Sequence, residues 1–78
     1  MVLRMVQICM LINAEKISVF DVVKKLEKTN GIIEAFPTFG RFDVVAFGDV
    51  EKRDEIGPLV KKVSALEGVM KTETMVEL

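Results

Sequence analysis

The sequence has no histidine, no tyrosine and no tryptophan, and its 78 residues include a single cysteine, Cys9. Without histidine, the side chain whose ordinary pKa lies nearest neutral pH is missing, and with it the commonest general acid–base group. One cysteine cannot form a disulfide within the chain, which excludes the disulfide-stabilised class of small secreted domains. Zinc and iron–sulfur sites need several Cys or His ligands, so no metal or cofactor is expected.

The sequence also lacks a long hydrophobic run and a clear excess of charge. Its longest uninterrupted apolar stretch is residues 8–12, whereas a membrane-spanning helix needs about 20 residues. Residues 1–4 contain one basic residue and no cleavage site, so they do not resemble a signal peptide. A net charge of −1 and a pI near 5.4 argue against a nucleic-acid surface. We therefore expect a cytoplasmic domain that contacts neither membrane nor nucleic acid directly.

What the sequence has in abundance is apolar residues: 50% of the chain is hydrophobic and 29% is charged. Disordered chains combine low hydrophobicity with high net charge, so disorder is excluded. We expect residues 1–78 to form one domain. A core of this size rarely supplies more than about 3–5 kcal/mol of net stability, and a short chain has little interior. Part of the apolar surface is therefore expected to face another chain.

The first half of the chain predicts a strand, a helix and a second strand. Residues 2–12 are apolar at both even and odd positions, which is typical of a strand covered on both faces. A polar connection follows, and Ser18, with Asp21 three positions later, is predicted to cap a helix. The helix has an apolar stripe at spacings of three and four and is predicted to end at Gly31. The stripe consists of Val19, Val22, Val23 and Leu26.

The second half repeats this pattern after a hairpin. Residues 32–36 and 42–48 are predicted to form paired strands, with Gly40 at the bend. A second amphipathic helix is predicted from about residue 55, with Asp54 as its N-cap, so that Pro58 falls in the first turn where it costs least. Residues 69–78 are predicted to form a charged edge strand in which Met70 shares a face with Thr72.

The resulting order, βαββαβ, is that of the ferredoxin-like α+β fold. This fold has a four-stranded antiparallel sheet with both helices on one face. The first and third strands are apolar on both sides, so a second apolar face is left uncovered. We expect the protein to dimerise through the sheets, because this is the simplest way to bury that face.

The hairpin around Gly40 carries the clearest candidate for a binding site. A glycine at the bend leaves backbone amides open to an anion, and Asp43 could receive an ammonium group. The pair would suit a free amino acid. The alternative is an ordinary turn in which Asp43 accepts hydrogen bonds from local amides. Cys9 has apolar neighbours and no adjacent base, so it is expected to be a structural thiol.

Two motifs resemble those of the effector-binding domain of the Lrp/AsnC family of transcriptional regulators. The first is the run Gly40-Arg41-Phe42-Asp43, which resembles the family's Gly-x-aromatic-Asp hairpin. The second is Gly68-Val69 followed by Thr72 and Thr74, similar to the family's Gly-Val before a Thr-x-Thr strand. The resemblance covers nearly the whole chain in the order of its elements.

The resemblance implies a ferredoxin-like fold, dimers formed through the sheets, and rings of dimers, commonly octamers. It implies amino-acid effectors bound between dimers at the hairpin. The effector-binding residues would be Gly40, Arg41, Asp43, Thr72 and Thr74. Phe42 stands where the family often has tyrosine, so a hydroxyl contact is lost. Full-length members carry a helix-turn-helix domain first, so this chain resembles a stand-alone form that binds no operator itself and could modulate full-length regulators.

Three functions follow from these observations. The first is a stand-alone amino-acid-sensing and oligomerisation module, which is not an enzyme and has no catalytic residues. The second is a purely structural oligomer with no ligand. The third is a small dimeric ferredoxin-like enzyme of the monooxygenase or isomerase type, which would need a polar cavity between helices and sheet.

Overall fold

A computed structural model describes residues 5–78, which form four strands and two α-helices. The strands are β1 (Val6–Ala14), β2 (Ile32–Pro37), β3 (Val44–Val50) and β4 (Val69–Val76), and the helices are α1 (Val19–Glu27) and α2 (Ile56–Ser64). A short 3₁₀ turn precedes each helix, Lys16–Ser18 before α1 and Arg53–Glu55 before α2. The predicted order of elements is confirmed.

The strands form one antiparallel sheet in the order β2-β3-β1-β4. The central strand β1 pairs with β3 on one side and β4 on the other, so Ile12 lies between Val44 and Thr72. Strand β4 lies at an edge of the sheet, as its charged positions predicted. This is the ferredoxin-like α+β fold, and the predicted fold class is confirmed.

One face of the sheet is covered by both helices. Alternate residues of β1 and β3 point toward the helices and are buried, among them Met10, Ile12, Val44 and Ala46, each 0% exposed. They pack in a single hydrophobic cluster with Val22 and Leu26 of α1 and with Leu59 and Val63 of α2. The two predicted helical stripes are therefore confirmed as the surfaces that cover the sheet. Within residues 5–78, neither helix is long and apolar enough to span a bilayer.

Among residues 5–78 no helix covers the other face of the sheet, which is apolar at its centre. We call it the open face; its apolar residues, which lie opposite one another across the four strands, are Cys9, Leu11, Phe36, Val45, Phe47 and Met75. Phe47 is 41% exposed and Met75 is 55% exposed. The rings of Phe36 and Phe47 lie 6.2 Å apart between centroids. The sequence prediction of an apolar second face is thus correct for this subunit.

The ends of several elements differ from the sequence prediction. The predicted start of β1 at residue 2 lies outside the described residues, and the strand continues to Ala14 rather than ending at residue 12. Strand β3 spans Val44–Val50 instead of residues 42–48. The amide of Asp43 donates to the Ile12 carbonyl at 2.8 Å, and residues 38–43 form the loop around the predicted bend at Gly40.

The predicted helix caps are only partly correct. Ser18 does precede α1, but its side chain makes no capping hydrogen bond. Asp54 is not the N-cap of α2, because it lies inside the 3₁₀ turn and Glu55 occupies the cap position. The Glu55 carboxylate instead accepts hydrogen bonds from the amides of Glu51 and Lys52, at 2.9 and 3.0 Å. Pro58 is the third residue of α2, where its missing amide costs no helical hydrogen bond.

The pairing of β1 with β4 contains an irregularity, and as a result Val69 and Met70 lie on the opposite sides of the sheet from those predicted. The register shifts between Asn13 and Ala14, so that Ala14 lies opposite Val69. Val69 therefore packs against the core, while Met70 is 69% exposed. The prediction that Met70 shares a face with Thr72 is wrong, because strict alternation along β4 does not continue through the shift.

Candidate functional site

The loop between β2 and β3, residues 38–43, is closed at its base by two hydrogen bonds. The Thr38 amide donates to the Asp43 carbonyl at 2.9 Å, and the Thr38 hydroxyl donates to the Phe42 carbonyl at 2.8 Å. Gly40 lies at the tip with φ of 124°, a conformation that residues with a side chain rarely adopt. A Cβ atom there would meet no atom of the described residues within 4 Å. The loop therefore needs glycine at this position for its backbone conformation, not for space.

Asp43 joins this loop to the end of β1. Its Oδ2 accepts a hydrogen bond from the Ala14 amide at 2.9 Å, and its own amide donates to the Ile12 carbonyl. Among residues 5–78, Asp43 has no cationic partner within ion-pair distance. One carboxylate oxygen thus satisfies a backbone amide, as the turn hypothesis expected, although the amide belongs to a distant strand. The half-buried carboxylate keeps the capacity to receive a ligand's cationic group.

A cleft of about 360 Å³ lies between this loop and the start of α1. Gly40 and Asp43 both line it, together with Lys16, Val19, Phe20, Pro37, Thr38 and Phe39. Phe20 is 70% exposed and Phe39 is fully exposed. We call these two side chains the apolar rim of the cleft.

Six of the eight described lining residues were not among the predicted site residues. Pro37, Thr38 and Phe39 lie beside Gly40 in the chain, whereas Lys16, Val19 and Phe20 come from the turn and helix after β1. Among the three residues from the turn and helix, only Phe20 has a sequence pattern that could have indicated a binding surface. It is a large apolar residue on the polar side of an amphipathic helix.

The remaining predicted site residues do not converge on this cleft within one subunit. Arg41 is exposed in the same loop but is not part of the cleft lining; its carbonyl accepts a hydrogen bond from Asn13 Nδ2 at 2.7 Å. Thr72 and Thr74 lie on β4, opposite Ile12 and Met10, and are half-buried on the helix-covered side. The Thr72 hydroxyl is 3.3 Å from that of Ser64 in α2. The structure therefore brings Gly40 and Asp43 together and leaves the two threonines apart.

A larger cleft of about 600 Å³ opens at the start of α2. Its charged lining residues are Asp49, Glu51, Asp54, Glu55 and Lys62. Within the described part of the chain, no group of three or more Cys, Asp or Glu side chains is arranged to hold a metal ion. The cleft is an acidic surface depression with no built ligand cage.

Cys9 lies on the open face, opposite Phe47 and Met75. Burial raises the pKa of its thiol because desolvation disfavours the thiolate. The thiol is thus less ionised near neutral pH than a free cysteine, which is the reverse of what a nucleophile requires.

Comparison with known proteins connects this fold to transcriptional regulators. No protein-family model matches the sequence, and no curated protein matches it. Several solved structures do match. A protein from Thermus thermophilus superimposes with a TM-score of 0.90 at 24% identity, over 95% of this chain and 94% of its own.

Two regulators match over about half of their own length. AsnC of E. coli has a TM-score of 0.82 at 21% identity, over 94% of this chain and 50% of AsnC. A transcriptional regulator from Neisseria meningitidis, solved in complex with L-Met, has a TM-score of 0.82 at 14% identity, over 94% of this chain and 49% of its own. The chain therefore has the fold that these regulators contain, and its structural neighbours include the AsnC type expected from the resemblance.

Proposed function

We propose that this protein is an amino-acid-binding and oligomerisation module related to the Lrp/AsnC regulators, acting in the cytoplasm. The observation that carries the proposal is the cleft in which Gly40 and Asp43, the two residues of the hairpin motif, lie together. The fold is shared with AsnC, and one regulator with this fold has L-Met bound. A cleft of about 360 Å³ is near the lower end of the roughly 300–1,000 Å³ of small-molecule sites, which suits a ligand as small as an amino acid.

The first level of assembly in this proposal is a homodimer formed through the open face. Six apolar side chains from all four strands meet there, and three of them exceed a third exposed: Phe36, Phe47 and Met75. A stable interface buries about 800 Å² on each partner, and stacking two such sheets would cover the apolar centre of each. Charged residues such as Glu34 and Glu73 lie on the two edge strands, β2 and β4, and would form the polar border of the interface.

The second level is a ring of dimers, with an octamer as the expected size. The apolar rim consists of Phe20 on α1 and Phe39 in the loop; both are exposed and neither is part of the open face. A contact between dimers at this rim would bury both phenylalanines and enclose the cleft. Arg41, Thr72 and Thr74 remain candidate effector contacts, which a neighbouring subunit would have to contribute.

Regulation would follow from thermodynamic linkage. If the complete pocket exists only where dimers meet, an effector that binds there stabilises the assembled ring over free dimers. The same contact would allow mixed assembly with full-length regulators, whose activity could then depend on the effector. No catalytic step is involved in this proposal.

The enzyme alternative is disfavoured by the packing between helices and sheet. An enzyme of the monooxygenase or isomerase type would need a polar cavity there, but Met10, Ile12 and Leu26 are 0% exposed in that layer. No histidine is available either. The structural-oligomer alternative shares the fold and the assembly, so ligand binding alone separates it from our proposal.

Calorimetric titration of the wild-type protein with each of the twenty amino acids tests the proposal. We expect at least one to bind in the micromolar to millimolar range, and Asp43→Ala to abolish that binding while the protein still dimerises. Glu27→Ala, an exposed change on α1 outside the cleft, is the matched control and should bind normally. If no amino acid binds the wild type at millimolar concentration, the sensing function is wrong and the structural oligomer is favoured.

A further inference from the structure

We propose that the effector is an amino acid with an apolar side chain, and that Lys16 binds its carboxylate while Asp43 binds its ammonium group. This inference rests on the proposed function and names the ligand class of that same cleft. It assigns a role to Lys16, which belongs to neither sequence motif and lies 27 positions before Asp43 in the chain.

The first argument is charge. Of the eight described residues that line the cleft, two are charged, one of each sign: Lys16 and Asp43. Within residues 5–78, Lys16 forms no ion pair, and the one partner of the Asp43 carboxylate is the neutral Ala14 amide. A free amino acid carries one ammonium and one carboxylate group, so it can pair with both side chains at once. Within the described residues, both charged groups therefore remain able to pair with a ligand.

The second argument is that hydrogen bonds hold the backbone near both charged residues. Asp43 is bonded to the amide of Ala14, and Lys16 follows only two residues later. The intervening Glu15 is also tied, since its amide donates to the Gly68 carbonyl at 2.9 Å. Both charged residues therefore start from backbone that is held to the sheet. Such preorganisation reduces the conformational entropy lost when a ligand binds.

The third argument is the chemistry of the rest of the lining. It consists mainly of Val19, Phe20, Pro37 and Phe39. The described lining residues include no third charged group that could pair with an acidic or basic effector side chain, and the Thr38 hydroxyl already donates to the Phe42 carbonyl. An apolar effector side chain would cover exposed area of Phe20 and Phe39, which favours binding, whereas a charged one would lose hydration without a partner.

The test combines two variants with ligands from which one charge has been removed. Wild-type protein is titrated calorimetrically with L-leucine, L-methionine and L-phenylalanine, then with L-glutamate and L-lysine. For phenylalanine, phenethylamine lacks the carboxylate and 3-phenylpropanoate lacks the ammonium group. We expect the apolar amino acids to bind at least about tenfold more tightly than the charged ones, a difference of about 1.4 kcal/mol.

The variants assign each charge to its partner. Lys16→Gln should weaken phenylalanine binding about three- to tenfold, as expected for an exposed charge pair, and leave phenethylamine binding unchanged. Asp43→Asn keeps an acceptor for the Ala14 amide; it should weaken phenylalanine binding and leave 3-phenylpropanoate binding unchanged. Lys24→Gln, on the exposed side of α1 and outside the cleft, is the control and should bind as the wild type does.

The outcomes separate this inference from the proposed function. Absence of binding by all twenty amino acids contradicts the proposed function itself. Binding that prefers glutamate or lysine, or phenylalanine binding that Lys16→Gln leaves unchanged, overturns the present inference while the sensing function stands.

Discussion

The two faces of the sheet are built from the same four strands and are both apolar, yet only one of them is fully buried within the subunit. On the helix-covered face, Met10 and Ile12 are completely buried. On the open face their immediate neighbours Cys9 and Leu11 are half-buried, and Phe47 is 41% exposed. Alternation along a strand thus shows that both faces are apolar, but only the placement of the helices decides which one is the core of the subunit.

The largest expected difference between the faces is in the loss of stability when an apolar side chain is replaced by alanine. Met10→Ala removes a fully buried side chain and should lower the free energy of unfolding by about 2–5 kcal/mol. The adjacent Leu11→Ala, on the open face, should cost less in a dilute sample, and its effect should grow with protein concentration because it weakens association. Chemical denaturation at two protein concentrations measures both. Equal, concentration-independent losses for the two variants would contradict the distinction between the faces.

A larger side chain on the helix-covered face should also destabilise the protein. A Cβ at Gly48 would overlap the Gly31 carbonyl oxygen, which already accepts a hydrogen bond from the Asp49 amide at 2.9 Å. Gly48→Ala should therefore destabilise the protein by about 1–3 kcal/mol.

Gly57→Ala is the matched control for that change, since its Cβ would meet nothing within 4 Å. It should stabilise the protein by up to about 1 kcal/mol through helix propensity. Thermal unfolding of both variants compares them. If Gly48→Ala unfolds at the same temperature as the wild type, the close approach of β3 to Gly31 is wrong.

A charge on the open face should separate subunits with little effect on the fold of each one. Phe47→Asp places a carboxylate at the centre of the proposed dimer contact, so sedimentation should shift from dimer or larger species to monomer. Phe20→Asp makes the same chemical change on the apolar rim and should leave dimers intact while reducing larger assemblies. A wild-type protein that is monomeric at micromolar concentration would exclude the sheet-to-sheet dimer.

The smallest effect is expected at Cys9, whose thiol pKa is raised by burial. Because burial disfavours the thiolate, the pH midpoint of alkylation should lie above that of free cysteine, and modification near pH 8 should be slow. Dilution that separates dimers should speed the reaction, since the open face would then be uncovered. Iodoacetamide labelling followed by mass spectrometry measures both trends. Labelling as fast as that of free cysteine at pH 8 would contradict the burial of this thiol.

The sequence was sufficient to predict the fold because each element carries its own periodicity. The stripe of α1 and the double-sided strands are local patterns, and they define which elements exist and which faces are apolar. The ends of elements were less predictable because they depend on distant hydrogen bonds. Asp43 lies in the loop before β3, where its carboxylate accepts a hydrogen bond from the Ala14 amide, and Met70 lies at the register shift between Asn13 and Ala14.

The candidate site was predictable only where it coincides with a local turn. Gly40 and Asp43 lie in one hairpin, so their proximity follows from the sequence. Lys16 and Phe20 reach the same cleft from a different element, and nothing in the local pattern indicates that α1 begins beside the hairpin. Thr72 and Thr74 were associated with the site through the resemblance, and within this subunit β1 separates their strand from β3.

The paired rings of Phe36 and Phe47 on the open face have a consequence for spectroscopy. With neither tryptophan nor tyrosine in the chain, only weak phenylalanine absorption and emission are available from aromatic side chains. A single Phe47→Trp substitution would therefore be the sole strong fluorophore, at the centre of the surface where subunits are proposed to meet. Its emission maximum would report on hydration of that surface, so association could be followed at nanomolar concentration without any attached dye.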